Sequence, residues 1–150
     1  MRIYLPATLD ELDATDLPAR RGHAVTSELR AALPDEDEEG LEFAAQLMAA
    51  DDSFELLRAA PGAPRLRLVV SVDVAEADVE LVVDEDDGAP TLVELAGPLK
   101  VAAIVCAHVD EPGARADVEA ALAGDEAAGE RLDDADLLWY DATELAQIPR

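Results

Sequence analysis

The best local group of residues for chemistry in this sequence is His108-Val109-Asp110-Glu111. Side chains two positions apart in a β-strand point to the same face, so His108 and Asp110 could form an acid–base pair or bind a metal ion. The exit of a strand into a loop is a common position for functional residues. Polar residues also mark the end of any buried strand, so a structural interpretation of His108, Asp110 and Glu111 stays open beside the functional one.

Trp139 and Tyr140 are the only adjacent aromatic residues. In a strand, alternation places one of them inside and lets the other face outward. An exposed aromatic side chain among acids is a candidate anchor for a protein partner, because Trp and Tyr dominate interface hot spots. The alternative is that a terminal helix covers both rings.

Known catalytic and cofactor motifs are missing from the sequence. It contains no phosphate-binding loop, dinucleotide fingerprint, nucleophile elbow or zinc-binding Cys/His spacing. The acidic run at residues 35–39 lacks the ligand alternation of a calcium loop and fits the first turn of a helix. Cys106 is interpreted as a small core residue and His23 as a hydrogen-bonded structural group. We therefore predict no catalytic residues, no metal site and no cofactor.

The net charge is −24, from 35 acids and 11 bases. Direct binding to nucleic acid or to an anionic membrane surface is disfavoured, because both need clustered Lys and Arg. A solvated acidic surface, as in a salt-adapted proteome, and a surface that meets a basic protein partner both remain open. Either should give a stability that rises with salt. A single cysteine, the lack of a signal peptide and the lack of a long apolar run suggest a soluble cytoplasmic protein.

The hydrophobic pattern predicts alternating groups of strands and helices. Strands are expected at residues 2–5, 23–26, 65–74, 79–83, 91–95, 101–109 and 137–140. Helices are expected at residues 9–14, 27–33, 39–60, 114–123 and 141–148, with capping boxes starting at Thr8 and Asp141. Residues 16–22 look like a loop, residues 84–88 like a hairpin turn, and residues 124–136 suit a helix or an acidic loop equally.

The strand at residues 101–109 is uncharged and rich in β-branched residues, which indicates the centre of a sheet with residues 65–74 as its neighbour. The helix at residues 39–60 should pack across that sheet through a stripe formed by Phe43, Leu47, Ala50, Phe54 and Leu57. Several strands follow one another without an intervening helix. This order predicts one α+β domain over residues 1–150, a two-layer sandwich with a mixed, mostly antiparallel sheet and helices mainly on one face.

Five separated blocks resemble a known family when taken together: MRIYLPATL, HAVTSELR, EEGLEFAAQLMAA running into FELLRAAPGAPRLRLVVSVDV, KVAAIVCAHVDEP and DLLWYDATEL. They are similar to a family of small uncharacterised proteins of high-GC Gram-positive bacteria, classed as a domain of unknown function. The resemblance implies a bacterial cytoplasmic protein and covers nearly the whole chain. It carries no known activity, so it assigns no functional residue.

Two functional hypotheses follow. The first is a non-enzymatic domain that binds a basic protein partner through its acidic surface, which the net charge favours. The second is a small enzyme or ligand-binding domain with a site at the exit of the strand that ends at residue 109. The first predicts a flat acidic face with a protruding aromatic residue, and the second predicts a concave pocket that contains His108.

Overall fold

Nine β-strands and four α-helices are formed by residues 1–82 and 88–150, which are the residues described by the computed structural model. The strands are β1 (Arg2–Ala7), β2 (Asp16–Leu17), β3 (Arg21–His23), β4 (Leu68–Asp73), β5 (Val79–Leu81), β6 (Leu92–Leu95), β7 (Leu99–Lys100), β8 (Ile104–Val109) and β9 (Leu138–Asp141). The helices are α1 (Ser27–Ala32), α2 (Glu38–Ala59), α3 (Arg115–Leu122) and α4 (Glu126–Asp133). Short 3-10 helices lie at Leu9–Asp13, Glu76–Asp78, Val101–Ala103, Pro112–Ala114 and Ala142–Gln147.

Seven strands form one sheet in the order β5-β6-β3-β1-β4-β8-β9, and β2 pairs with β7 in a separate ladder. Every pairing between the described strands is antiparallel. The predicted α+β class is confirmed, with a sheet that is antiparallel throughout these pairings. The predicted hairpin turn at residues 84–88 lies outside the described residues except for Gly88.

The centre of the sheet is β1, so the prediction that residues 101–109 form the central strand was wrong. β8 begins only at Ile104 and lies one place from the sheet edge, although it does pair with β4 as expected. β1 continues through Pro6 to Ala7: Pro6 lies opposite Val69 of β4, while the pairing of β1 with β3 is limited to Tyr4 and His23. The Pro6 carbonyl accepts a hydrogen bond from the Arg20 guanidinium at 2.7 Å.

The two faces of the sheet are covered differently. α2 crosses one face, which we call the helix face; its strand residues include Tyr4, Val69, Ser71, Cys106 and His108. The opposite face holds the larger apolar cluster, to which strand residues such as Leu5 and Val70 contribute. The 3-10 helices at Leu9–Asp13 and Ala142–Gln147 and the β2–β7 ladder supply apolar residues to that cluster, including Leu9, Leu17, Leu99 and Leu145.

The buried face of α2 differs from the predicted stripe. Phe43 and Leu47 are exposed, and the buried residues follow one another at intervals of four: Leu41, Ala45, Ala49, Ser53 and Leu57. Ala50 and Leu57 are buried as predicted, and Phe54 is partly buried. Small side chains at this face let the helix lie close to the sheet, where the Ser53 hydroxyl donates to the Ala7 carbonyl and accepts from the Leu68 N–H. The prediction gave too much weight to large apolar residues and too little to small ones.

Local signals located several other elements correctly. The Glu11 carboxylate accepts from the Thr8 N–H at 2.9 Å, and the Glu144 carboxylate accepts from the Asp141 N–H at 3.0 Å, so both predicted capping boxes form. The segment at residues 124–136, whose sequence suits a helix or an acidic loop equally, contains the helix α4. The loop predicted at residues 16–22 was wrong, because β2 and the start of β3 lie there.

Candidate functional site

A groove of about 520 Å³ opens between the first half of α2 and the helix face of the sheet, and we call it the α2 groove. Its sheet side is lined by Arg2, Tyr4, Ser71, Cys106, His108 and Trp139. Its helix side is lined by Asp37, Glu39, Gly40, Glu42, Phe43 and Gln46. Further along α2, the small residues Ala49 and Ala50 belong to one buried cluster with Tyr4 of β1 and Val69 of β4.

Two polar atoms at the floor of the groove lack a hydrogen-bond partner among the described residues: Ser71 Oγ and His108 Nδ1. Ser71 is fully buried and lies opposite Cys106 in the register of β4 and β8. His108 lies opposite Val69, so it is the diagonal neighbour of Ser71 on the same face. A buried hydroxyl and a buried imidazole nitrogen that find no partner among the described residues are costly, and they suit a site that offers hydrogen bonds to a bound group.

Two titratable side chains at the floor, His108 and Tyr4, are neutral at pH 7. Burial lowers the pKa of His108 below its usual value of 6.5, so the imidazole is uncharged. Burial, with the nearby Glu42 carboxylate, raises the pKa of the Tyr4 phenol to about 12. The floor therefore offers neutral hydrogen-bonding groups.

The rim of the α2 groove is negatively charged. Asp37, Glu39 and Glu42 line it, and the one lining guanidinium, Arg2, is bound by Asp73 through two hydrogen bonds of 3.0 Å. The helix dipole at the start of α2 offsets part of this charge, since the Asp37 carboxylate accepts from the Gly40 N–H at 2.9 Å. The remaining carboxylates give the rim a potential that attracts cations.

Two large aromatic side chains are exposed at this rim. Trp139 is 58% exposed and Phe43 is 51% exposed, and both line the α2 groove. Trp139 is placed by β9 and Phe43 by α2, so the two rings come from different elements. Exposed aromatic rings beside carboxylates can hold a cation by cation–π attraction and charge together.

Only some of the predicted site residues lie in the α2 groove. His108 and Trp139 line the α2 groove, whereas Asp110, Glu111 and Tyr140 do not. Trp139 faces outward while Tyr140 is partly buried against the opposite-face cluster, so the predicted alternation of the two rings is confirmed. Glu111 is exposed at the turn that follows β8.

The Asp110 carboxylate is bound by Arg67 in a buried ion pair. It accepts from the Arg67 Nη2 at 2.8 Å, from the Arg67 Nε at 3.0 Å and from the Arg67 backbone N–H at 2.7 Å. The Arg67 guanidinium also donates to the Leu132 carbonyl at 3.0 Å. The structure therefore does not bring Asp110 to His108 as an acid–base partner, although His108 lies in β8 and Asp110 directly follows that strand.

The sequence did not identify several residues of the groove. Ser71 interrupts an apolar strand, LVVSVD, and an isolated polar residue at the centre of such a run was a usable signal. Phe43 was assigned to the core because its spacing from Leu47 and Ala50 is helical. Tyr4 and Glu42 come together only through the packing of α2 on β1, which no local pattern reveals.

The described part of the chain contains neither a cluster of metal ligands nor a membrane-spanning helix. No group of three or more His, Cys, Asp or Glu residues within residues 1–82 and 88–150 is arranged to hold a metal ion. None of the helices in these ranges combines the length and the apolar character that crossing a membrane requires.

Comparison with known proteins gives a family but no activity. Neither the curated proteins nor the solved structures contain a match to this chain. A family model covers nearly the whole sequence, which confirms the resemblance to an uncharacterised family. The chain belongs to a family of unknown function, DUF6912, whose model matches residues 1–148.

Proposed function

We propose that this protein is a non-enzymatic binding domain that takes a positively charged segment of a partner protein in the α2 groove. The observation that carries the proposal is the combination of two exposed aromatic rings, Trp139 and Phe43, with the carboxylates of Asp37, Glu39 and Glu42 around one concave site. A Lys or Arg side chain would gain both cation–π attraction and charge attraction there.

The wider charge of the chain supports the same partner. At a net charge of −24, a basic protein is attracted from a distance, which raises its rate of encounter. An aromatic residue at the centre of the encounter surface then supplies the short-range contact that charge alone cannot supply. Of the signs expected from the sequence, the protruding aromatic residue of a binding module is present as Trp139, whereas the concave groove that contains His108 is the sign expected of the second hypothesis.

Charge reversal at one groove residue tests this proposal against a matched control. We would measure the binding of a lysine-rich peptide by calorimetry for the unchanged protein, for Glu39→Lys and for Glu119→Lys. Both substituted residues are exposed and helical, and both substitutions change the net charge equally, but only Glu39 lines the α2 groove. We expect Glu39→Lys to weaken binding by at least about tenfold and Glu119→Lys to change it little. Equal weakening by the two substitutions would mean that only bulk charge attracts the peptide.

The second candidate function is a ligand-binding domain or small enzyme, with its site at the floor of the same groove. It is supported by Ser71 Oγ and His108 Nδ1, which have no hydrogen-bond partner within residues 1–82 and 88–150 and suit a neutral ligand that can both donate and accept hydrogen bonds. A thermal-shift screen of neutral polar metabolites would test it. A hit that raises the melting temperature of the unchanged protein but not of Ser71→Ala would favour this candidate, and a hit that both stabilise equally would count against it.

We also propose a cytoplasmic location and an origin in a high-GC Gram-positive bacterium. A reducing compartment agrees with a single cysteine, Cys106, which is buried. The predominance of Arg over Lys and the high Ala content agree with a GC-rich genome. Immunoblotting of the cytosolic and membrane fractions of the source cells would test the location, and recovery mainly in the membrane fraction would contradict it.

A further inference from the structure

We propose that the outer edge of β9 accepts a basic, extended segment of the partner protein as an eighth strand of the sheet. This inference rests on the proposed function and adds the mode of binding to it. β9 is the last strand of the sheet, and among the described residues it pairs only with β8. The backbone groups on its outer side are therefore available to a strand that is added there.

β9 is a short edge strand of four residues, but its first three residues lack the other devices that usually protect an edge. Its first three residues, Leu138 to Tyr140, contain no charge and no proline, and the register of its pairing with β8 has no bulge. Leu138 and Trp139 are 40% and 58% exposed. β5, at the other end of the sheet, carries an exposed Glu80 at its centre. An apolar, exposed and regular edge is what a partner strand needs for pairing.

The carboxylates around β9 favour a basic segment as the added strand. Asp136 precedes the strand and Asp141 ends it, and the chain before it carries Asp133 and Asp134. The nearest base in sequence, Arg131, is bound to Asp117 at 2.8 Å. Pairing of β9 with a second copy of this chain would bring these carboxylates together, and the net charge of −24 adds to the repulsion. A segment that carries Lys or Arg instead neutralises them, so the occupant is basic.

The register of β9 predicts the sequence pattern of that segment. Trp139 pairs with His108, so it lies on the helix face beside the α2 groove, while Leu138 and Tyr140 point to the opposite face. Side chains of an added strand alternate in the same way. The partner should therefore place Lys or Arg next to the Trp139 ring, where a long side chain can lie across it, and apolar residues at the alternate positions.

Hydrogen exchange with a pair of peptides tests this mode separately from the proposed function. The first is a short peptide that alternates Lys and Val; the second has the same side chains but N-methylated amides along one edge, which removes ladder hydrogen bonds and keeps the charge. We expect the first peptide to slow amide exchange in β9 and the second to bind at least about tenfold more weakly.

Each outcome shows whether strand addition, the proposed function or the basic occupant is wrong. Binding of the first peptide without slower exchange in β9, or equal binding of both peptides, overturns strand addition and leaves the α2 groove as a binding site. No binding of either peptide, or of any lysine-rich peptide, overturns the proposed function as well. Slower exchange in β9 that appears with protein concentration alone shows that a second copy occupies the edge, and it overturns the basic occupant.

Discussion

Trp139 and His108 are direct cross-strand partners in β9 and β8, so an indole and an imidazole lie side by side on the helix face. The indole is mostly exposed, and burial keeps the imidazole neutral by lowering its pKa. The pair joins the exposed aromatic rim of the α2 groove to its polar floor. A ligand that stacks on Trp139 therefore lies about one strand spacing from His108, whose Nδ1 has no hydrogen-bond partner in the described part of the chain.

The buried pair of Arg67 and Asp110 should be important for stability. Replacing Asp110 with Asn leaves the guanidinium buried without its counter-charge, and we expect a loss of about 3–5 kcal/mol in the free energy of unfolding. The control is Asp73→Asn, which removes the exposed pair with Arg2 and should cost at most about 1 kcal/mol. Urea denaturation of the two variants measures both values, and a small loss for Asp110→Asn would contradict a structural role for this pair.

Gly22 should not tolerate even one added methyl group. A Cβ at this position in β3 would lie 2.6 Å from Leu5 Cδ2 and 3.0 Å from the Tyr4 carbonyl oxygen. Gly22→Ala should therefore lower the free energy of unfolding by about 1–3 kcal/mol. Gly97→Ala is the control, because a Cβ there meets no atom within 4 Å and its effect should stay within about 0.5 kcal/mol. Chemical denaturation compares the two, and similar values would show that β3 and β1 are less tightly packed than the structure has them.

The ion pair of Glu11 with Arg20 should make part of the stability depend on pH. Burial acts to raise the pKa of Glu11, but hydrogen bonds from Arg20 and from the Thr8 N–H outweigh it and hold the pKa below the usual 4.5. A carboxyl with a lowered folded-state pKa stabilises the fold at neutral pH and loses this effect as the pH falls through that pKa. Glu11→Gln should therefore be less stable than the unchanged protein at pH 7, and the difference should shrink below pH 4. Denaturation at both pH values measures it, and a constant difference would contradict the linkage.

The acid excess should make the protein more stable in moderate salt. Repulsion among carboxylates opposes the folded state at a net charge of −24, and salt screens it over a Debye length of about 10 Å at 0.1 M. The melting temperature should rise as salt is added from low ionic strength and then level off. A rise in the melting temperature that continues into molar salt would instead support adaptation to a saline cell. No rise at all would show that repulsion among the carboxylates does not lower the stability of the fold.

Features fixed by neighbouring residues were predicted well from the sequence. The capping boxes at Thr8 and Asp141 depend on residues three positions apart, and the alternation of Trp139 and Tyr140 depends only on strand geometry. The position of β1 at the sheet centre was missed, because sheet order is set by pairings between residues far apart in the chain.

In the candidate site too, residues marked by local patterns were predicted, and residues brought together by distant packing were not. His108 and Trp139 were selected from local patterns, and both line the α2 groove. Asp110 was expected beside His108, but Arg67, 43 positions earlier in the chain, binds it. Ser71 and Phe43 were missed because the groove arises from the packing of α2, whose buried face includes Ala45, Ala49 and Ser53 but not Phe43.

The most direct test of the account is a titration followed by tryptophan emission. Trp139 is the one tryptophan of the chain, so the emission reports on the rim of the α2 groove and on the adjoining edge of β9. Adding a lysine-rich peptide at low salt should shift the emission in a saturable way, moderate salt should weaken the effect, and a glutamate-rich peptide of the same length should leave it unchanged. Emission that does not respond to the lysine-rich peptide, or that responds equally to both peptides, would contradict the binding of a basic partner in this groove.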